Sequence, residues 1–294
     1  MSEMAQNAAS FFYPGSRTGI LLIHGLTGTP TEMKYVGKGL AQAGFTVYGM
    51  QLAGHCAGET ELLATGWRDW YASVETAYEE LRQKVDDVFV AGLSMGAVLA
   101  LHLAAQRPEG LAGVALYSTT LWYDGWSVPW IGRLNFLFRF LLRLGIGRNR
   151  SFIEAPPYGI KDKRLRQRVA ASMFGGDSEA AGLPGNPWRS LAELYDLVAL
   201  VKAELRRIDT PVLILHSDND DVASDRNATY IERRLAGPVR KILLDDCYHM
   251  ITVDKQRGEV VQQTARFMTE LTGPVAGAEP AVPADAALAV VRRN

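Results

Sequence analysis

A strand-like apolar run, Val88-Phe89-Val90-Ala91, is joined to a helix-like run, Ala97 to Gln106, by only five residues, Gly92-Leu93-Ser94-Met95-Gly96. So abrupt a change commits this stretch to a strand–turn–helix unit. The turn demands a strained backbone, and the flanking glycines remove side chains that would collide with neighbouring main chain. A serine at the apex exposes its Oγ at the sheet edge, and the Met95 N–H can point at a developing oxyanion. Ser94 is therefore a candidate nucleophile. The competing reading, a glycine-rich packing turn, accounts for the five residues alone but not for the ordered strand and helix on either side.

The same rhythm runs through much of the chain. Gly19 to His24 reads as a buried strand, Thr31 to Ala43 as a helix, Phe45 to Met50 as a strand, Trp67 to Lys84 as a helix and Leu111 to Ser118 as a strand. This alternation predicts an α/β fold with a mostly parallel sheet covered on both faces. After Ser118 the rhythm breaks, then resumes with a helix at Leu191 to Arg206. The strand Pro211 to His216, the helix Arg226 to Leu235, the strand Val239 to Leu244 and the helix Gly258 to Leu271 follow. The expected organisation is a core of residues 1–118 and 190–272, an inserted helical cap over 119–189, and an Ala- and Pro-rich disordered tail over 273–294. A chain of 294 residues, 48% of them hydrophobic, can bury one large core of this kind.

Composition excludes more than it selects. A net charge of −1 gives no global attraction to nucleic acid. Cys56 and Cys247 have neither metal-ligand spacing nor a disulfide framework, so no metal or cofactor is expected and a reducing compartment is the natural setting. The N-terminal residues lack a basic region followed by an apolar one, and no apolar run has the length of a bilayer span, which makes the cytoplasm the expected location.

A serine nucleophile needs a base and a carboxylate that orients it. The strand Pro211 to His216 runs into Ser217-Asp218-Asn219-Asp220-Asp221, and the strand Val239 to Leu244 runs into Asp245-Asp246-Cys247-Tyr248-His249. His249 then lies on a loop from which it can reach Ser94, with Asp220 as the preferred acid and Asp218 as the runner-up. The chain order serine, aspartate, histidine is that of the α/β-hydrolases. A second oxyanion donor is expected from His24-Gly25-Leu26-Thr27-Gly28-Thr29-Pro30, where Leu26 N–H would pair with Met95 N–H. The other four histidines read as structural or surface residues, and Cys247 as a packing residue.

At these residues the chain resembles the bacterial monoacylglycerol lipases and small carboxylesterases of the α/β-hydrolase fold. The likeness rests on His24 to Pro30, Gly54-His55, Thr65-Gly66-Trp67-Arg68-Asp69-Trp70, Gly92 to Gly96, Ser217 to Asp220, and Tyr248-His249 with Thr252 to Asp254. It implies a Ser94–Asp220–His249 triad, Leu26 and Met95 as oxyanion donors, and hydrolysis of a monoacylglycerol or another acyl ester through an acyl-serine intermediate. Thioester hydrolysis or acyl transfer would use the same intermediate, and a non-catalytic ligand-binding role is the alternative of a different class. The chain departs from the family in Gly96-Ala97 after the elbow, in Val222-Ala223-Ser224, and in a longer cap.

That cap is basic. Between Ile131 and Ala170 stand ten Arg and Lys residues against Glu154 and Asp162. Asn135, Arg139 and Arg143 recur every four residues, a narrow polar stripe on an otherwise apolar helix. A lid helix over the pocket explains this pattern. So does transient docking on anionic lipid surfaces, which would bring the site to an insoluble ester.

Overall fold

The computed structural model describes residues 9–107, 109–128, 147, 150–175 and 182–274. In chain order the elements are β1 (Phe11–Tyr13), β2 (Thr18–Ile23), a 3-10 turn (Pro30–Met33), α1 (Lys34–Gln42), β3 (Thr46–Met50), α2 (Glu59–Leu63), α3 (Trp67–Arg82), β4 (Asp87–Leu93), α4 (Met95–Gln106) and β5 (Gly113–Tyr117). Then follow β6 (Ser151–Ile153), α5 (Lys163–Phe174), β7 (Gly185–Pro187), α6 (Trp188–Glu204), β8 (Val212–Ser217), α7 (Arg226–Glu232), β9 (Val239–Leu244) and α8 (Arg257–Thr272).

Seven strands form one sheet in the order β1-β3-β2-β4-β5-β8-β9. All neighbours are parallel except β1, which pairs antiparallel with β3 in the register Phe12↔Tyr48. The parallel, doubly covered sheet is thus the predicted one. The edge strand β1 and the short helix α2 were not legible, because three and five residues are too few to show a period.

Alternation along each strand builds two cores. Leu21, Ile23, Val90, Leu116 and Ile214 face a cluster that includes Trp70 and Val74 of α3, Leu99 of α4 and Leu194 of α6. Ile20, Leu22, Ala91, Ala115 and Leu215 face the opposite cluster, with Val36 and Leu40 of α1 and Phe267 and Met268 of α8. Helix α4 is buried from Met95 to Ala105, which accounts for its apolar surface on every side. Full burial of each Leu or Val in it contributes roughly 2 kcal/mol, so the helix that carries the elbow is pinned along its whole length.

The helix α6 begins at Trp188, one turn before the periodic signal at Leu191, because Pro187 at the N-cap position supplies the extended entry. Between β5 and β8 the described residues hold the antiparallel pair β6–β7, with Phe152↔Asn186 in register, and the helix α5. The expected helix carrying Asn135, Arg139 and Arg143 lies outside the described residues, as do residues 275–294 of the expected tail. Among the described residues no helix is long and apolar enough to cross a membrane.

Candidate active site

Ser94 sits between β4 and α4 with φ 55° and ψ −112°, a conformation that side chains other than glycine rarely adopt. The surroundings enforce it. A Cβ on Gly92 would overlap the Gly96 carbonyl, and one on Gly96 would overlap the main-chain oxygens of Ile23 and His24. The strand, the turn and the neighbouring loop therefore approach as closely as backbone allows. Ser94 N–H donates to Tyr117 O at 2.9 Å, tying the apex to the end of β5. As the first residue of α4, Met95 has a main-chain N–H with no intrahelical acceptor.

Residues 24–30 lie against this apex. An added Cβ on Gly25 would stand 3.7 Å from Ser94 Cβ and 3.7 Å from Leu93 O, which puts the Leu26 loop at the serine. His24 is fully buried. Its Nε2 accepts from Leu52 N–H at 3.2 Å, and its Nδ1 lies 2.9 Å from Gly25 O. Burial and the nearby His55 hold its pKa well below that of free histidine, so the ring is a neutral strut.

The loops after β8 and β9 bring Asp220 and His249 together. Both are buried, at 3% and 5% exposure. His249 Nδ1 lies 2.8 Å from Asp220 Oδ2 and 3.0 Å from Oδ1; an ionised carboxylate only accepts, so Nδ1 carries the proton. Asp220 Oδ1 also accepts from the N–H groups of Val222 and Ala223, each at 2.8 Å. Burial pushes this carboxyl up, but the charge and hydrogen bond of His249, aided by His216 and Ala223 N–H, more than offset it and hold the pKa low. Burial likewise depresses His249, and Asp220, with Asp221 and Glu154 behind it, raises the ring above the usual histidine value. Asp218, the runner-up, is solvent-exposed and points to no such partner.

The serine hydroxyl is not paired with His249 in this structure. Ser94 Oγ lies 3.0 Å from Thr120 Oγ1, whose hydroxyl has Ser118 O as an acceptor at 3.3 Å. A rotation about one side-chain bond separates this state from one aimed elsewhere, and such hydrogen bonds tighten when substrate arrives. Thr120 carried no signal in the sequence, because its hydroxyl reaches the serine only after β5 has been laid beside β4.

Further carboxylates that sequence reasoning left aside hold the histidine loop. Asp221 accepts from His249 N–H at 3.2 Å and from Gly159 N–H at 3.1 Å. Asp254 accepts from the N–H groups of Tyr248 at 3.0 Å, Lys161 at 2.7 Å and Asp162 at 3.0 Å. Residues 159–162 are thereby clamped to the loop that carries His249. Glu32, on the 3-10 turn, accepts from Gly25 N–H at 3.2 Å. Thr29-Pro30-Thr31-Glu32 has the capping-box pattern, the signal that could have found it.

The remaining histidines are structural. His102 Nδ1 lies 2.7 Å from Glu204 Oε2, and His216 Nε2 lies 2.7 Å from Ala223 O. Burial lowers His55 to about 4. Cys247 is buried and its thiol is pushed up to about 12, which leaves it inert. Among the described residues no group of three His, Cys, Asp or Glu side chains is placed to hold a metal ion.

The profile of a serine hydrolase family, serine aminopeptidase S33, matches residues 15–256. The chain belongs to this family. The chain is a serine hydrolase of the α/β-hydrolase fold, and a half-buried serine at a strained apex together with a buried Asp–His pair fits that chemistry. It is 28% identical over 277 residues to the thermostable monoacylglycerol lipase of Bacillus sp. (strain H-257), covering 93% of this chain and 100% of that protein. It is 24% identical over 263 residues to a carboxylesterase of Bacillus subtilis (strain 168), covering 89% of this chain and 96% of the other. A metagenome-derived lipolytic enzyme superposes with a TM-score of 0.73 at 26% identity, over 91% of this chain and all of the other.

Proposed function

We propose that this hydrolase cleaves carboxylic esters with a medium-length or long acyl chain, monoacylglycerols foremost, through an acyl-Ser94 intermediate. The observation that carries the reading is the placement of Ser94 at a φ of 55° with the Gly25 loop at its Cβ and a buried, hydrogen-bonded His249–Asp220 pair on the adjoining loops. His249 Nε2 takes the Ser94 proton as Oγ attacks the ester carbonyl, while Asp220 fixes the tautomer and stabilises the imidazolium. Main-chain N–H groups of Leu26 and Met95 receive the oxyanion, each worth about 3 kcal/mol in the transition state. The imidazolium protonates the departing alcohol, and the neutral ring then activates water to release the acid. The similarity to a monoacylglycerol lipase and a carboxylesterase supports the ester and the acyl class.

Residues 119–189 act in this reading as a cap. Gly159, where a Cβ would stand 3.1 Å from His249 Cβ, and Leu183, whose N–H donates to Thr27 O at 3.0 Å, press on the two sides of the site. The basic cap, whose Arg139 and Arg143 lie outside the described residues, docks transiently on anionic lipid surfaces in this reading, and the exposed Lys163, Arg164 and Arg168 of α5, with Phe174 at 52% exposure, support it. Cys56, half-buried, and Cys247, buried, are not joined in a disulfide, which suits a cytoplasmic setting.

The test is labelling with a serine-directed phosphonate, followed by turnover of monoacylglycerols, short aryl esters and acyl-CoA thioesters. Ser94→Ala is expected to abolish labelling and to lower kcat about 10⁶-fold. Labelling that survives at another residue overturns the assignment. Faster turnover of acyl-CoA than of any ester overturns the substrate class.

A further inference from the structure

Glu32 stands in the turn that follows the Leu26 loop, and that loop wraps around its carboxylate. Gly25 N–H donates to Oε2 at 3.2 Å, and Thr29 N–H adds a weaker pull on the carboxylate. The missing side chain of Gly28 leaves the room that Oε1 occupies, so any Cβ there would collide with the carboxylate. From the other side, Thr29 Oγ1 accepts from Thr31 N–H at 3.2 Å and caps the turn that presents Glu32. The five residues from Gly25 to Thr29 are thus folded over one anion, and Leu26 lies between its two ends.

We propose that Glu32 is a positioning residue for the oxyanion donor, its ionised carboxylate drawing in the N–H groups of Gly25 and Thr29 so that the loop between them presents Leu26 N–H to Ser94. This rests on the reading of Ser94 as the nucleophile. The carboxylate acts through the loop and touches no reacting atom. Loss of its charge weakens the hold on Gly25 N–H, and a displacement of an ångström at such a donor is enough to slow the chemistry.

The arrangement titrates. Burial pushes the Glu32 carboxyl up to about 7, with Glu154 adding to the rise and the N–H groups of Gly25 and Thr29 and the facing His249 opposing it. Those are the groups that face it: Glu154 from the segment after β6, His249 from the loop after β9, and the main chain of its own loop. Below about 7 the carboxyl carries a proton and grips the loop less. His249, raised above the usual histidine value, must also be deprotonated to act as base. Both ionisations therefore remove activity in the same direction as pH falls.

The deciding experiment measures kcat and KM for a soluble aryl ester between pH 5 and 9 with the wild type, Glu32→Gln and Ser94→Ala, with thermal melting of each. The expected wild-type plot of log kcat against pH has an acid limb steeper than one, approaching two. Glu32→Gln is expected to lower kcat at pH 8 by about 10- to 100-fold, to leave KM within about threefold, and to reduce the limb to a slope of one. A wild-type limb of slope one overturns the proposal even if the variant does not fold. A folded Glu32→Gln protein with wild-type kcat and limb overturns it as well. Turnover by Ser94→Ala equal to wild type would instead overturn the nucleophile, a result independent of what Glu32→Gln does.

Discussion

The elbow at Ser94 and the loop that carries His249 are held by different physics. Around Ser94 the constraint is main chain against main chain. Gly92 faces Gly96, Gly96 faces Ile23 and His24, and α4 behind them is buried from Met95 to Ala105. Around His249 the constraint is side-chain carboxylates accepting main-chain N–H groups from distant segments. Asp221 gathers Gly159 and Asp254 gathers Lys161 and Asp162, donors that the sequence places far away, while Asp220 holds the His249 ring itself. Ser94 is thus fixed by excluded volume, which admits only glycine at positions 92 and 96. His249 is fixed by a charged network, which admits small adjustments and responds to pH.

Three substitutions test that contrast. Asp220→Asn keeps the shape of the loop but removes the charge that sets the His249 tautomer, so kcat is expected to fall about 10⁴-fold. Because Asp220 raises the His249 pKa, the acid limb of the residual activity is expected to move to lower pH. An unmoved limb would show that Asp220 is not coupled to the base.

Gly96→Ala drives a methyl into two carbonyl oxygens that cannot withdraw without bending β2, and about 3 kcal/mol of stability is expected to be lost. Urea unfolding followed by tryptophan fluorescence measures it. A loss below about 1 kcal/mol would mean that the elbow is softer than the close approach implies.

Asp254→Asn leaves one acceptor oxygen where three N–H groups converge, and is expected to cost about 2 kcal/mol. Since the clamp holds the loop of the base and not the serine, kcat should also fall by about tenfold with melting still cooperative. An unchanged kcat in a destabilised protein would make Asp254 a structural clamp alone.

The same contrast separates what was legible from what was not. The order of strands and helices, the elbow and the serine–aspartate–histidine sequence of loops are local patterns, and β4, α4, β8 and β9 fall where the periodicity places them. Glu32 was missed although its capping-box spacing was present, because that spacing predicts only a helix start and says nothing of a loop closing over the carboxylate. Thr120 had no local signal at all, and Asp254 entered only through the family likeness of Thr252 to Asp254, without a role. Their partners are 26 residues away in one case and 93 in the other.

The sequence by itself determined that the chain forms a parallel, doubly covered sheet with a serine at a strained apex, because periodic burial and glycine sterics act over a few residues. Only the tertiary structure decided how His249 meets the preferred Asp220, with Nδ1 2.8 Å from Oδ2, while Asp218 stays exposed. It also decided that the serine hydroxyl turns to Thr120, and that the Glu32 carboxylate lies under the loop from Gly25 to Thr29. Each of these depends on hydrogen bonds between segments that become neighbours only when the sheet is assembled.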